Sequence, residues 1–178
     1  MAGRPKKRHE VVQPLDKPYR YIPLTREQNA IVDAGDFEWL SQWNWHAVWN
    51  DCTKSFYATR TVEHNKAIKM HRQILGLQNP KIEGDHINGD TLDNRRENLR
   101  KATRRQNIYN SRKQNMTGLI NCVRAFGRGK YYDRWRSRIS INGKRVHLGY
   151  FRSPEEAARA HDEAAKKHRK EFAVLNFS

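Results

Sequence analysis

Cysteine is nearly absent from this chain: Cys52 and Cys122 stand far apart, with no paired spacing. Neither a disulfide framework nor a structural zinc site is indicated, and both thiols are expected to be small buried hydrophobes. Long apolar runs are missing too. No stretch approaches the roughly 20 residues that span a bilayer, and the first residues form no hydrophobic signal segment. The expected setting is therefore soluble and intracellular, in the cytoplasm, with no membrane partner. Hydrophobic residues make up only 37% of the 178, which favours small cores over one large one. Acid is scarce as well: 19 Asp and Glu against 35 Lys and Arg leave a formal charge of +16 and a pI near 10.2. Such an excess attracts polyanions and makes binding salt-dependent. Nucleic acid is the expected partner, and no protein partner is evident.

What is present concentrates between residues 85 and 107, where a carboxylate, an imidazole and spaced carboxamides sit in a basic stretch. Asp85 can hold a hard divalent cation through oxygen, and the adjacent His86 points the other way if the pair lies on a strand. Asn88-Gly89-Asp90 is a turn sequence, because Asn and Gly tolerate positive φ, so the chain should bend back after a strand ending near Ile87. Thr103 to Gln106 has the spacing of a capping box, which predicts a helix opening there and running towards Gly118. Asn107 then falls in its first turns. The order is strand, loop, helix, with the polar residues converging.

This segment resembles the HNH nuclease motif, in which a two-stranded ribbon and a following helix form a ββα-metal unit, and in particular its homing-endonuclease branch. The resemblance implies that Asp85 binds metal and that His86 is the general base activating water. It implies that Asn98 closes the ribbon and orients that base, and that Asn107 supplies the second metal ligand from the helix. Asn94 is read as a loop-shaping residue. Asn in the last position makes the site all-oxygen, so one Mg²⁺ or Mn²⁺ ion is expected rather than zinc. Arg95, Arg96, Arg100, Lys101, Arg104, Arg105, Arg112 and Lys113 crowd around the site with Glu97 as the main opposing charge, which suggests phosphate positioning. Of these, Arg104 and Arg105 are the candidates for DNA contact.

Residues 1–17 are polar and basic and are expected to be a disordered tail. Arg4, Lys6 and Lys7 within it resemble an AT-hook arm for the minor groove; a solvated basic tail is the simpler alternative. From Tyr19 the pattern becomes that of a folded unit. Tyr21–Leu24 and Ala30–Val32 read as strands, Asp36 as the N-cap of a helix, and Trp45–Trp49 with Phe56–Val62 as a hairpin. The cluster Trp39, Trp43, Trp45 and Trp49 reads as core rather than as a base-stacking platform. Lys69–Gly76 should be a helix before the ribbon, with His71 and Arg72 either near DNA or in a surface role.

After residue 117 a second unit begins. Trp135 to Ile141 alternates with period two, Asn142-Gly143 is a hairpin turn, and Lys144 to Phe151 returns. Ser153-Pro154-Glu155-Glu156 starts a helix whose alanines form a small face for a sheet. The unit resembles the APETALA-two/ethylene-response-factor DNA-binding domain, in which a three-stranded sheet enters the major groove. That implies DNA contacts from Arg124, Trp135, Arg136, Arg138 and Arg145. Cys122 replaces a usual Gly, and His147 stands where many plant members have Trp.

The expected fold is α+β: an HNH nuclease domain over 18–116, then a small antiparallel sheet packed on one helix over 117–178. The resemblances imply metal-dependent hydrolysis of double-stranded DNA by a homing enzyme, phage or intron encoded and acting in the host cytoplasm. The alternative is a non-cleaving DNA-binding regulator on a nuclease fold. RNA binding is disfavoured, since the sheet lacks aromatics arranged to stack single-stranded bases.

Overall fold

A computed structural model describes residues 8–62, 66–110, 119–127 and 130–177. The arm residues Arg4, Lys6 and Lys7, and the helical stretch expected beyond residue 110, lie outside them. The chain is α+β and divides into two compact units, residues 1–104 and 105–178. No helix among the described residues is long and apolar enough to cross a membrane.

The first unit opens on a hairpin of β1 (Tyr19–Pro23) and β2 (Asn29–Asp33). Helix α1 (Ala34–Ser41) follows directly. Asp33, not Asp36, stands at its N-cap position; Asp36 is in the first turn, where it accepts from the Trp39 indole and from Arg96. The cap was misplaced because that distant arginine claims the carboxylate. A three-stranded sheet of β3 (His46–Asn50), β4 (Ser55–Thr61) and β5 (Ala67–Lys69) leads into helix α2 (Met70–Ile74). The β3–β4 turn is tied by the Asn50 Oδ1, which accepts from the backbone N–H of Cys52 and Thr53. That leaves Cys52 exposed, against expectation.

Leu24, Val32, Leu40, Trp45 and Met70 are fully buried in one cluster. Burying each such side chain stabilises by about 1.5–3 kcal/mol. Trp45 also satisfies its indole N–H on the Leu40 carbonyl, 2.8 Å away. Trp39 and Trp43 pack edge-to-face against the same cluster, as the core reading requires. Trp49 does not: it is 40% exposed.

The ribbon comes next: β6 (Ile82–His86) pairs antiparallel with β7 (Leu99–Thr103). Between them the chain folds on its own side chains. Asn88 Oδ1 accepts from the Asp90 N–H and Asp90 Oδ1 from the Leu92 N–H, which are Asx turns that shape the connection ahead of a single 3-10 turn at Arg96–Asn98. Gly89 supplies the positive φ of 82°. The loop then docks on the first hairpin: Ile31 N–H donates to Leu92 and Asn94 N–H donates to Ile31. Thr91 Oγ1 donates to the Phe56 carbonyl of β4.

In the second unit, short helix α3 (Arg104–Tyr109) begins at the division between units. The sheet of β8 (Cys122–Gly127), β9 (Lys130–Ile141) and β10 (Lys144–Phe151) has the order β10-β9-β8. Asn142 and Gly143 both take positive φ in the β9–β10 turn. Helix α4 (Pro154–Arg169) is capped by Ser153 Oγ, which accepts from the Glu156 N–H, with Pro154 at its first position. Ala157, Ala158 and Ala165 are buried, as are Ser137 and Ile139 of β9. Asp162 on α4 accepts from the backbone N–H groups of Asn176 and Phe177, so the last described segment is tied back to the helix.

Candidate active site

His86 ends β6, and Asp85 precedes it. Both are buried, 5% and 3% exposed. Alternation along the strand sends them to opposite faces. On its face Asp85 stands opposite Arg100, and Arg100 Nε donates to its Oδ2 at 2.7 Å. On the other face the His86 ring meets His71 edge-on, centroids 4.9 Å apart, and Tyr57 at 6.2 Å. Gly84 permits this close stacking of α2 on the ribbon. A Cβ there would lie 2.5 Å from His71 Cδ2.

Burial holds the His86 imidazole below its ordinary pKa; the Asn94 carboxamide and the carboxylates of Asp85, Asp90 and Asp93 work the other way without overcoming it. His71 lies well below its ordinary value, first through burial and then through His86, Lys69 and Arg72. Two neutral imidazoles thus sit side by side. A neutral ring is the form that can accept a proton.

Asn98 does half of what the sequence implies. Its Oδ1 accepts from the Asn88 N–H at 2.9 Å, and its Nδ2 donates to the Asp93 carbonyl at 2.8 Å, which closes the loop that follows the base. These two bonds of its carboxamide are both to backbone. Asn94, read as loop-shaping, is 1% exposed and donates from its carboxamide to the Leu92 carbonyl. Its burial was invisible in a sequence where Asn in a loop ordinarily faces water.

The arginines are also placed differently. Arg95 pairs with Asp93 and Glu97, Arg96 with Asp36, and Arg100 with Asp85, while Arg104 lies 3.7 Å from Glu83. Burial works to raise the Asp93 carboxyl, but the Arg95 guanidinium and the Asn88 amide outweigh it, so Asp93 stays below the usual carboxylate range. Arg72 donates to the carbonyls of Ile82, Leu77 and Asn79, and His71 is buried, so neither is a surface group. Arg95 and Arg100 are thus tied into the fold, while the Arg104 side chain stays 84% exposed.

Asn107 lies on α3, in the second unit, where Arg105 donates to Asn142. In the sheet, Arg136 and Arg138 alternate with the buried Ser137 and Ile139, and Arg145 pairs with Ser140. By alternation these three arginines share the face away from α4. Trp135 alternates with Arg136 along the strand and pairs across it with Arg124, which is exposed and lies at a register shift in β8. Cys122 is buried, its Sγ 3.2 Å from the Pro154 carbonyl.

Residues 69–109 match the protein-family model described as HNH endonuclease. That segment runs from the last residue of β5 through α2, ribbon and loop to α3. No curated protein matches the chain. The likeness to an HNH endonuclease is thus carried by the ribbon, its loop and the short helices on either side.

Proposed function

We propose that this protein is a divalent-metal-dependent endonuclease that hydrolyses phosphodiester bonds in double-stranded DNA. The observation that carries the reading is the buried, neutral His86 beside the buried carboxylate of Asp85 at the end of a ribbon matching an HNH endonuclease. His86 takes the proton of the attacking water, a role for which burial keeps its lone pair free of a proton. Asn98 fixes the loop that follows the base. Asp85 offers a carboxylate oxygen of the kind a hard cation takes, with phosphate and water oxygens to complete the shell, and Asn107 is the second ligand that the HNH resemblance implies. Bound there, Mg²⁺ or Mn²⁺ would supply Lewis-acid stabilisation of the phosphorane and the leaving 3′ oxygen. Arg136, Arg138 and Arg145 project from a sheet suited to the major groove, where base edges differ. A nuclease joined to such a DNA-reading unit has the composition of a homing enzyme, phage or intron encoded.

A second reading, a DNA-binding regulator that does not cut, is favoured by one contact. Arg100 holds the carboxylate that a cation would need. Incubation of supercoiled plasmid with the full chain and Mg²⁺, with and without chelator, decides between them. Chelator-sensitive nicking that disappears in His86→Ala supports the enzyme; intact plasmid under every condition, with DNA still bound, supports the regulator.

A further inference from the structure

The first unit carries a largely apolar cleft, assembled from the β1–β2 turn, from β3 and from Arg8, with no residue in common with the His86 site. Its volume is about 910 Å³ and its lining includes Arg8, Arg26, Asn44, His46, Val48 and Trp49, which is within the roughly 300–1,000 Å³ range of ligand sites. Three observations say what it would take. Trp49 is the one tryptophan of the cluster left 40% exposed, and Val48 beside it is 42% exposed. Trp49 is braced from behind by the Phe56 ring, edge-to-face at 5.0 Å, and the Arg26 guanidinium lies 5.8 Å from that same ring. Arg8 and Arg26 make no ion pair among the described residues; Arg8 donates only to Asn44 Oδ1. The one lining acid, Asp51, is engaged by the Trp49 indole N–H and by Lys54.

The turn that delivers Arg26 is held at a conformational cost. Arg26 and Glu27 both adopt left-handed backbone, φ 59° and 56°, where a hairpin turn ordinarily takes Asn and Gly. Core packing beneath the turn holds it there: Thr25 Oγ1 accepts from the Ala47 N–H of β3, and Leu24 is fully buried. Two unpaired guanidinium groups beside an indole with an open face form a phosphate clamp next to a stacking surface. A base within a duplex has both faces covered by its neighbours, so an exposed indole is of use only to an unpaired one.

We propose that this cleft binds unpaired nucleotides of a DNA strand, the bases against Trp49 and the phosphates on Arg8 and Arg26. The site rests on the reading of the protein as DNA-acting and adds a strand-holding function to it: the duplex is opened or frayed beside the nuclease, and one strand is held.

The test uses the full chain carrying His86→Ala, so that DNA stays intact, with a 12-nucleotide oligothymidine and a blunt duplex of equal length at one fixed salt concentration. Oligothymidine should quench tryptophan fluorescence, and Trp49→Phe, which keeps an aromatic ring on Phe56, should abolish most of the quench. Trp49→Ala and Arg26→Ala should each weaken oligothymidine binding by roughly tenfold or more, with duplex affinity changed less than about twofold on the same principle. Thermal melts of each variant confirm folding; a variant that does not fold is replaced by Trp49→Leu or Arg26→Gln. Unchanged oligothymidine affinity in the folded variants overturns the proposal, and so does an equal loss for strand and duplex, which would make the cleft a backbone contact. Strand binding in a wild-type chain that never nicks plasmid sinks the nuclease reading and leaves the cleft standing. Nicking without strand binding does the reverse.

Discussion

Arginine plays opposite parts in the two units. In the first, Arg95, Arg96 and Arg100 are each hydrogen-bonded to a carboxylate, and those carboxylates, Asp93, Asp36 and Asp85, are all buried. In the second, Arg136, Arg138 and Arg145 share one sheet face with no carboxylate paired to any of them among the described residues. Burial, and then the repulsion of Arg145 and Arg136, lowers the hold of Arg138 on its proton. A paired cation is part of the scaffold, whereas a crowded one is stabilised by a polyanion from outside. Sequence alone shows the same residue type at similar density in both places.

Four experiments bear on that division, the first of them removing the buried imidazole of the first unit's candidate site. His86→Ala should lower the nicking rate by about 10²–10⁴ while leaving DNA affinity nearly unchanged, since the imidazole is assigned to a proton. Near wild-type turnover in single-turnover assays would remove His86 from the mechanism. Arg100→Ala leaves a buried carboxylate without its guanidinium and should destabilise the first unit by about 3 kcal/mol, read by denaturant melts in a Trp135→Phe background that reports only the tryptophans of that unit.

Arg138→Ala is the counterpart. It should cost roughly 1–3 kcal/mol of affinity at a preferred site if the side chain reads a base, and less on random duplex. It should leave the second unit as stable as before, or more so, because it relieves repulsion. If instead Arg138→Ala unfolds the unit while Arg100→Ala does not disturb its own, the contrast between the two arginine sets is wrong.

The smallest effect is in pH. His71 and His86 in the first unit, and His161 in the second, all have imidazoles lowered by burial. The unfolded chain therefore takes up protons at a higher pH than the folded one, so the stability these groups contribute is complete above about pH 6.5 and falls as pH drops towards their folded values. With two such groups against one, melting of the first unit should be the more acid-sensitive. A melting midpoint in the first unit that is flat between pH 7 and pH 5 would contradict the buried-neutral description of the site.

Most of the architecture could be read from local signals. The Asn142-Gly143 turn, the Ser153 cap and the strand ending at His86 depend on residues close in sequence, and there the chain states its own geometry. The strand position of Asp85 and His86 was legible for the same reason. What could not be read was long-range. Asp36 looks like a cap until Arg96, sixty residues on, takes its carboxylate. Asn94 looks like an ordinary loop residue until Ile31 draws its backbone into the interior beside His86. Trp49 differs from its three neighbours only by lying beyond the reach of the core cluster. Sequence periodicity carries no information about which distant partner closes a site.

The loop between β6 and β7 hangs on strands outside the matched segment. Asn94 and Leu92 are bonded to Ile31, Thr91 is near enough to donate to Phe56, and Arg96 is bound to Asp33 and Asp36. The unit of inheritance recognisable in residues 69–109 is thus smaller than the unit that can hold its shape. Grafted alone into another protein, that stretch would arrive with its motif residues intact and its loop unanchored. Any exchange of the segment between proteins has to begin before Tyr19, or bring a substitute for the first hairpin with it.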